Sequence, residues 1–248
     1  MSWRGRAWLG SGVLVYAGRV GVTTEHVHAA HQLAFTVGEV STLRAEVGGA
    51  SVGPACHLVV PGGVRHKLLP TDSATAAVSI YVDVDTTIGI EIRERVRAHP
   101  PLRWWDACRD ITASWPLGTH SDAAVLELVK HLQEWQRSST DLHLYVRQAL
   151  DAVSRDLGGK VTLGHVSDQI GVSSSHLSRL WRADLGLSFT SWVRWERLRE
   201  AGRAVRDGAT ITDAAHRAGF ADGAHASRVC RQMFGLSPLE LTAGITVI

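Results

Sequence analysis

A 13-residue stretch of this 248-residue chain occurs twice. His176–Ser188 and His225–Ser237 are identical at seven of 13 positions and lie 49 residues apart. Such a self-match marks one structural unit used twice. In the first copy Leu177, Leu180, Trp181 and Leu185 recur at helical spacing, and in the second Val229, Met233 and Phe234 do the same work. Gly186 and Gly235 follow where a left-handed residue closes a helix. The shared histidine, serine and two arginines fall off the apolar stripe, so they face outward.

A shorter helix and a tight turn precede each copy. Thr162 can cap a helix from Leu163 to Ile170 that Gly171 ends, after which Ser173 caps the repeat helix. In the second copy Thr210 or Thr212 opens a helix through Ala218, Gly219 ends it, and Asp222 caps the next. Ser167 and Ala215 are small where two helices must cross closely. Short helix, glycine turn and outward-facing second helix form the helix-turn-helix arrangement, whose second helix enters the major groove of DNA. Between the units, Phe189 to Val205 reads as one long helix, with Trp192, Val193, Leu198, Ala201 and Val205 apolar and Arg194, Arg197, Arg199 and Arg203 polar. About 17 residues span about 25 Å, comparable with the roughly 34 Å between successive major-groove faces.

Residues 141–240 resemble the DNA-binding domain of the AraC/XylS family of transcriptional regulators. The resemblance rests on Gly171-Val172-Ser173, on Trp192-Val193-Arg194-Trp195-Glu196-Arg197-Leu198, and above all on Ala218-Gly219-Phe220-Ala221-Asp222 followed by Phe234-Gly235-Leu236-Ser237-Pro238. It implies base contacts from Ser174, Ser175, Ser178 and Arg179 in the first unit and from Gly223, Ala224, Ser227 and Arg228 in the second. Arginine can grip a guanine edge with two hydrogen bonds, so Arg179 and Arg228 lead; the competing roles are a phosphate contact or an intramolecular ion pair. Arg182, Arg194 and Arg231 suit phosphate contacts, against a plain solvated helix face. Ala226 and Cys230 stand where the family usually carries aromatic residues, and Gly223 and Ala224 offer bases no polar side chain. The second reading head is therefore expected to be the weaker one.

Composition sets limits on the rest. A hydrophobic share of 45% with 20% charged residues is ordinary for globular proteins, and 248 residues suggest two domains. No stretch approaches the roughly 18 apolar residues of a membrane helix, and the opening Met1-Ser2-Trp3-Arg4-Gly5-Arg6 does not resemble a secretory signal. Three scattered cysteines, Cys56, Cys108 and Cys230, fit a reducing cytoplasm better than a disulfide framework. A net charge of +2 argues against a non-specific architectural DNA protein, which needs a strongly basic surface.

In the N-terminal half, short apolar runs broken by glycine and proline read as strands: Val13–Ala17, Leu33–Val37, Leu43–Val47, His57–Val60 and Ala76–Val84. Many short strands suggest a small jelly roll or barrel. Glu25-His26-Val27-His28 with Gln32-Leu33, then Val60-Pro61-Gly62-Gly63-Val64-Arg65-His66, resemble the cupin-like ligand-binding half of the same regulators. If His26 and His28 lie on a strand, both point to one face. In metal-binding cupins the corresponding ligands would be His26, His28, Gln32 and His66, with Gln32 in the place of a carboxylate and His31 or His57 as substitutes. Neutral imidazoles suit zinc, copper, iron or nickel; an organic effector pocket, or neither, are the other readings. Residues 86–137 read as helical, with one stripe at Ile88, Ile92 and Val96 and another at Val125, Leu128, Val129, Leu132 and Trp135. The second stripe either packs on the barrel or forms a dimer seam.

The expected fold class is α+β: a cupin-like β-barrel with flanking helices over residues 1–137, a linker at Ser138-Ser139-Thr140, and an all-α domain over 141–248 holding two helix-turn-helix units joined by a long helix. The expected function is sequence-specific transcriptional regulation in the cytoplasm, by a homodimer that senses a small molecule or a divalent metal, binds a duplex operator and, if an activator, touches RNA polymerase. The competing reading is a cupin metalloenzyme with an accessory DNA-binding domain. It rests on His26, His28 and His66 alone, with no phosphate loop or nucleophile motif beside them.

Overall fold

The computed structural model describes residues 3–37, 41–113, 115, 121–135 and 142–248. Ser138, Ser139, Thr140 and Asp141, the expected linker and its exit, lie outside them. Eight strands come first: β1 (Arg4–Gly10), β2 (Val13–Arg19), β3 (Ala30–Val37), β4 (Leu43–Val47), β5 (Ala50–Ala55), β6 (His57–Val60), β7 (His66–Pro70) and β8 (Ala76–Asp83). Three helices follow, α1 (Thr87–Arg97), α2 (Trp104–Cys108) and α3 (Asp122–Trp135). The second half holds α4 (Leu144–Arg155), α5 (Leu163–Gln169), α6 (Ser174–Leu185), α7 (Phe189–Arg206), α8 (Ile211–Arg217), α9 (Gly223–Phe234), α10 (Pro238–Gly244) and a last strand β9 (Ile245–Val247).

The strands do not close into the expected barrel. They form a six-stranded sheet in the order β6-β3-β8-β2-β1-β9 and a separate three-stranded sheet, β5-β4-β7. Among the described residues β6 and β9 find no second neighbour, so the larger sheet keeps two edges; an isolated bridge between His26 and His66 and hydrogen bonds between Thr23 and Leu68 tie the segment before β3 to β7. The outermost strand comes from the other half of the chain: β9 runs parallel to β1, pairing Gly5 with Ile245 and Ala7 with Val247.

Two apolar cores result. The first lies between the sheets and under α1, α2 and α3, and includes Leu33, Leu43, Leu68, Ile80, Ile88 and Ile92. Val125, Leu128, Val129 and Leu132 are buried in it, so that stripe of α3 packs on the sheets within one chain and is not free to form a dimer seam; the Trp135 side chain lies outside the described set. The second core gathers Val146, Leu177, Trp181, Leu185, Trp192 and Trp195 from the helices but also Ala30, Tyr81, Val84 and Ile90 from the first half. Apolar packing therefore runs continuously from the large sheet into the helical region.

The helix ends follow local chemistry. Thr162, Ser173, Thr210 and Asp222 each accept a hydrogen bond from the backbone N–H three residues on, capping α5, α6, α8 and α9. Gly186 and Gly235 close α6 and α9 with φ of 73° and 70°. Gly235 is constrained a second time, because a Cβ there would sit 2.7 Å from the Thr24 carbonyl oxygen.

Candidate functional site

The repeat helices α6 and α9 present their N-terminal turns outward. On α6, Ser175, Arg179 and Arg182 are exposed and Ser178 is half-buried; Arg179 Nη2 donates to His176 Nδ1 at 2.8 Å. Ser174 is engaged inward, 2.7 Å from the hydroxyl of the fully buried Ser167, so it holds α5 against α6. On α9, Ala224 and Arg228 are exposed, and Gly223 and Ser227 half-buried. Ala226 and Cys230, where larger rings were expected, are buried side chains, with Ala226 in the second core. Arg231 is exposed but lies 3.3 Å from Glu240, which also closes a capping box with Ser237. Arg194 stands apart: half-buried, it shares a cleft with His28, Gly186 and Gln232, near the C-terminal ends of α6 and α9 and so remote from their first turns.

Arg199, read as one more polar residue of α7, is 3% exposed. It pairs with Asp83 at the end of β8, with Glu196 one turn back, and donates to the Gly10 carbonyl. Trp195 Nε1 donates to the same carboxylate at 2.8 Å. Burial raises the Asp83 carboxyl against the pull of Arg199; burial likewise opposes the guanidinium charge, but Asp83 and Glu196 outweigh it. Beside this pair is an apolar cavity of about 170 Å³ between the large sheet and the helices, lined by Leu14, Tyr16, Leu198, Val205, Cys230 and Phe234 among others.

The first half brings His26, His28, Gln32 and His66 together, all 2% exposed or less. His26 and His28 are not on a regular strand, as the two-residue spacing suggested; they lie in the extended segment before β3, held by the bridge to His66. One ring nitrogen from each histidine lies within 4.8 Å of the others. The Gln32 Oε1 is 3.2 Å from Nε2 of both His28 and His66, and its amide nitrogen donates to Tyr81 Oη at 3.2 Å. Desolvation lowers all three imidazoles, His28 to about 3. Neither substitute joins them. His31, next to Gln32 on β3, accepts from the Gly62 N–H, and His57 stacks on Trp105 with centroids 3.9 Å apart.

The chain's likeness to known proteins agrees with this layout. A helix-turn-helix domain family model matches residues 166–243. The chain is 32% identical over 84 residues to the regulatory protein ada of Salmonella typhimurium, covering 34% of this chain and 24% of that protein. It is 28% identical over 142 residues to the arabinose operon regulatory protein of Escherichia coli, covering 54% and 49%; the chain thus spans half or less of the length of these curated relatives. Among solved structures, fatty-acid-bound ToxT of Vibrio cholerae covers 99% of this chain and 98% of its own with a TM-score of 0.58 at 11% identity, which is a likeness of fold. A ToxT structure bound to (E)-4-(8-methylnaphthalen-1-yl)but-3-enoic acid covers 92% and 97%, with a TM-score of 0.54 at 13% identity. A strand-rich first half followed by helix-turn-helix segments defines the class. Residues 166–243 carry a helix-turn-helix domain, and the chain is similar in sequence to regulators such as the arabinose operon regulatory protein.

Proposed function

We propose that the chain is a sequence-specific transcriptional regulator, with α5–α6 and α8–α9 as two helix-turn-helix units within residues 141–248 and residues 1–137 as its sensory part. The observation that carries this is the match between α6 and α9: each is 12 residues long, side-chain-capped at its start, closed by a left-handed glycine, and open at its first turns. The 18-residue α7 between them spans about 27 Å, a separation suited to successive major-groove faces. Arg179 and Arg228 are the leading base readers and Arg182 a phosphate contact. Ser174 serves the α5–α6 packing, and Arg194 and Arg231 are further candidate phosphate contacts.

The effector best supported is an apolar small molecule in the cavity between the large sheet and α7–α9. That space has walls from both halves, and a structural neighbour over nearly the whole chain holds an unsaturated fatty acid. Such a ligand would act by preferring one arrangement of the halves, shifting the population that fits DNA. A metalloenzyme has less support, since the matched residues belong to a DNA-binding fold. Selection of bound sequences from a random duplex library tests the reading: a preferred site with two half-site motifs about one helical turn apart is expected, and enrichment of no sequence would overturn it.

A further inference from the structure

The four polar side chains buried beside Tyr81 and Trp195 pose a hydrogen-bonding problem of their own. Each histidine has its Nδ1 on a backbone carbonyl: His26 on Thr24 at 2.9 Å, His28 on Ala30 at 2.6 Å and His66 on Val64 at 3.0 Å. A carbonyl only accepts, so Nδ1 carries the hydrogen in every ring, and every Nε2 is left with a bare lone pair. Two of those lone pairs face the Gln32 oxygen, which is itself an acceptor. Acceptors thus converge in a dry space with no hydrogen between them, an arrangement that costs free energy unless a cation sits among them.

We propose that His26, His28, His66 and Gln32 bind a divalent first-row transition metal of the zinc type. Three neutral imidazoles and one amide oxygen suit such an ion, whereas calcium and magnesium need sets of oxygen ligands. The carbonyl on each Nδ1–H is the outer-shell partner that fixes tautomer and ring orientation in histidine metal sites. A zinc–nitrogen bond is about 2.0–2.1 Å, so ring nitrogens already within 4.8 Å need only a small closure. Entry is provided by the cleft of about 210 Å³ that His28 lines together with Gly63, Leu187 and Arg194. The inference goes beyond the regulator reading and does not depend on it.

One other arrangement would satisfy the same atoms. Turning the Gln32 amide over would aim its two N–H groups at His28 and His66 and let the Tyr81 hydroxyl donate to the oxygen, closing a network with no room for an ion. Gln32→Glu separates the two. A carboxylate strengthens a metal site, but it removes both donors from the closed network.

The test uses the full chain, stripped with chelator and titrated with zinc, and with cobalt as a visible-absorption probe; magnesium serves as control. One equivalent of zinc per chain is expected, with cobalt giving the spectrum of a nitrogen-rich site. His66→Ala should weaken zinc at least 100-fold and Gln32→Glu should tighten it, folding being checked by circular dichroism. No stoichiometric zinc in the wild type, or zinc unaffected by His66→Ala, overturns the site. A folded Gln32→Glu chain that binds zinc no better than the wild type favours the closed network and overturns it as well. None of these readouts involves DNA, so a protein that binds zinc and no operator would refute the regulator reading and leave the metal site standing.

Discussion

Arg199 and Asp83, 116 positions apart in sequence, form a buried ion pair that fastens the middle of α7 to the end of β8. Removing one member of such a pair leaves a charge stranded in a dry interface, at a cost of about 3–5 kcal/mol, whereas replacing both by apolar groups is often neutral. Asp83→Asn should therefore lower the denaturation midpoint strongly, and Asp83→Leu with Arg199→Met should recover most of the loss. Denaturant melts of the three chains decide it. Equal losses in the single and double variants would mean that the pair is not the fastening.

Operator binding should separate the exposed arginines by role. Arg179→Ala is expected to cost about 1–3 kcal/mol on the cognate site and to relax preference at one base pair. Arg182→Ala should weaken all sequences alike and shallow the salt dependence. Arg228→Ala should lose less specificity than Arg179→Ala, because Gly223 and Ala224 in the first turn of α9 offer bases no polar side chain and leave Ser227 as its polar neighbour. The opposite order in a mobility-shift series would show that the second head is the principal reader.

The two buried thiols predict a reactivity pattern. Burial pushes Cys108 up to about 11 and Cys230 up to about 12, so at pH 8 both stay protonated and unreactive. Exposed Cys56 should label first and alone. Since Cys230 lines the cavity beside α7, a ligand seated there should slow its labelling further at raised pH, with no effect on Cys56. Mass spectrometry of the labelled chain reads all three.

Two glycines with the same backbone conformation make a controlled comparison. Gly171 has φ of 72° and nothing within 4 Å of an added Cβ, while Gly235 has φ of 70° and Thr24 backbone in the way. Gly171→Ala should cost only the left-handed penalty of about 1–2 kcal/mol. Gly235→Ala should cost clearly more and also loosen the contact between α9 and the first half. Thermal melts giving equal losses would mean that Thr24 yields without resistance.

Metal removal should be felt by α9. Thr24 and Val27, which flank His26, donate backbone hydrogen bonds to Gly235 and Gln232 at 3.3 and 2.9 Å, and the His28 and Tyr81 rings pack on Trp195 of α7. Chelation is expected to change operator affinity at least fivefold, a coupling of about 1 kcal/mol. Identical binding curves for zinc-loaded and stripped protein would uncouple the histidines from the reading helices.

Much of the helical region was legible because its signals are local. Thr162, Ser173, Asp222, Gly186 and Gly235 act within four residues of themselves, and each caps or closes the helix expected of it. Thr210 rather than Thr212 opens α8, the side-chain bond to the Asp213 N–H settling the choice. The strands Leu43–Val47 and His57–Val60 also stand as read. Strands with weaker alternation were not seen: β1 begins Arg-Gly-Arg, β5 carries Gly53 and Pro54, and β9 is three residues whose partner lies 240 positions away. The burial of Arg199 is not legible in the sequence for a related reason. One apolar stripe on α7 is visible in the sequence, but Trp195 and Arg199 form a second buried face whose only cause is the sheet packed against it. The histidine centre was read from residue type and spacing, although its geometry comes from the bridge to His66 and not from strand alternation.

Because β9 completes the sheet that β1 begins, the helical region is tethered to the first half at two places, through the middle of α7 and through a ribbon of backbone after α10. A body held at two points cannot move away as a whole. It can only turn about the line joining them, so a molecule entering between the halves would tilt α6 and α9 together against the sheet more readily than it would carry them away from it.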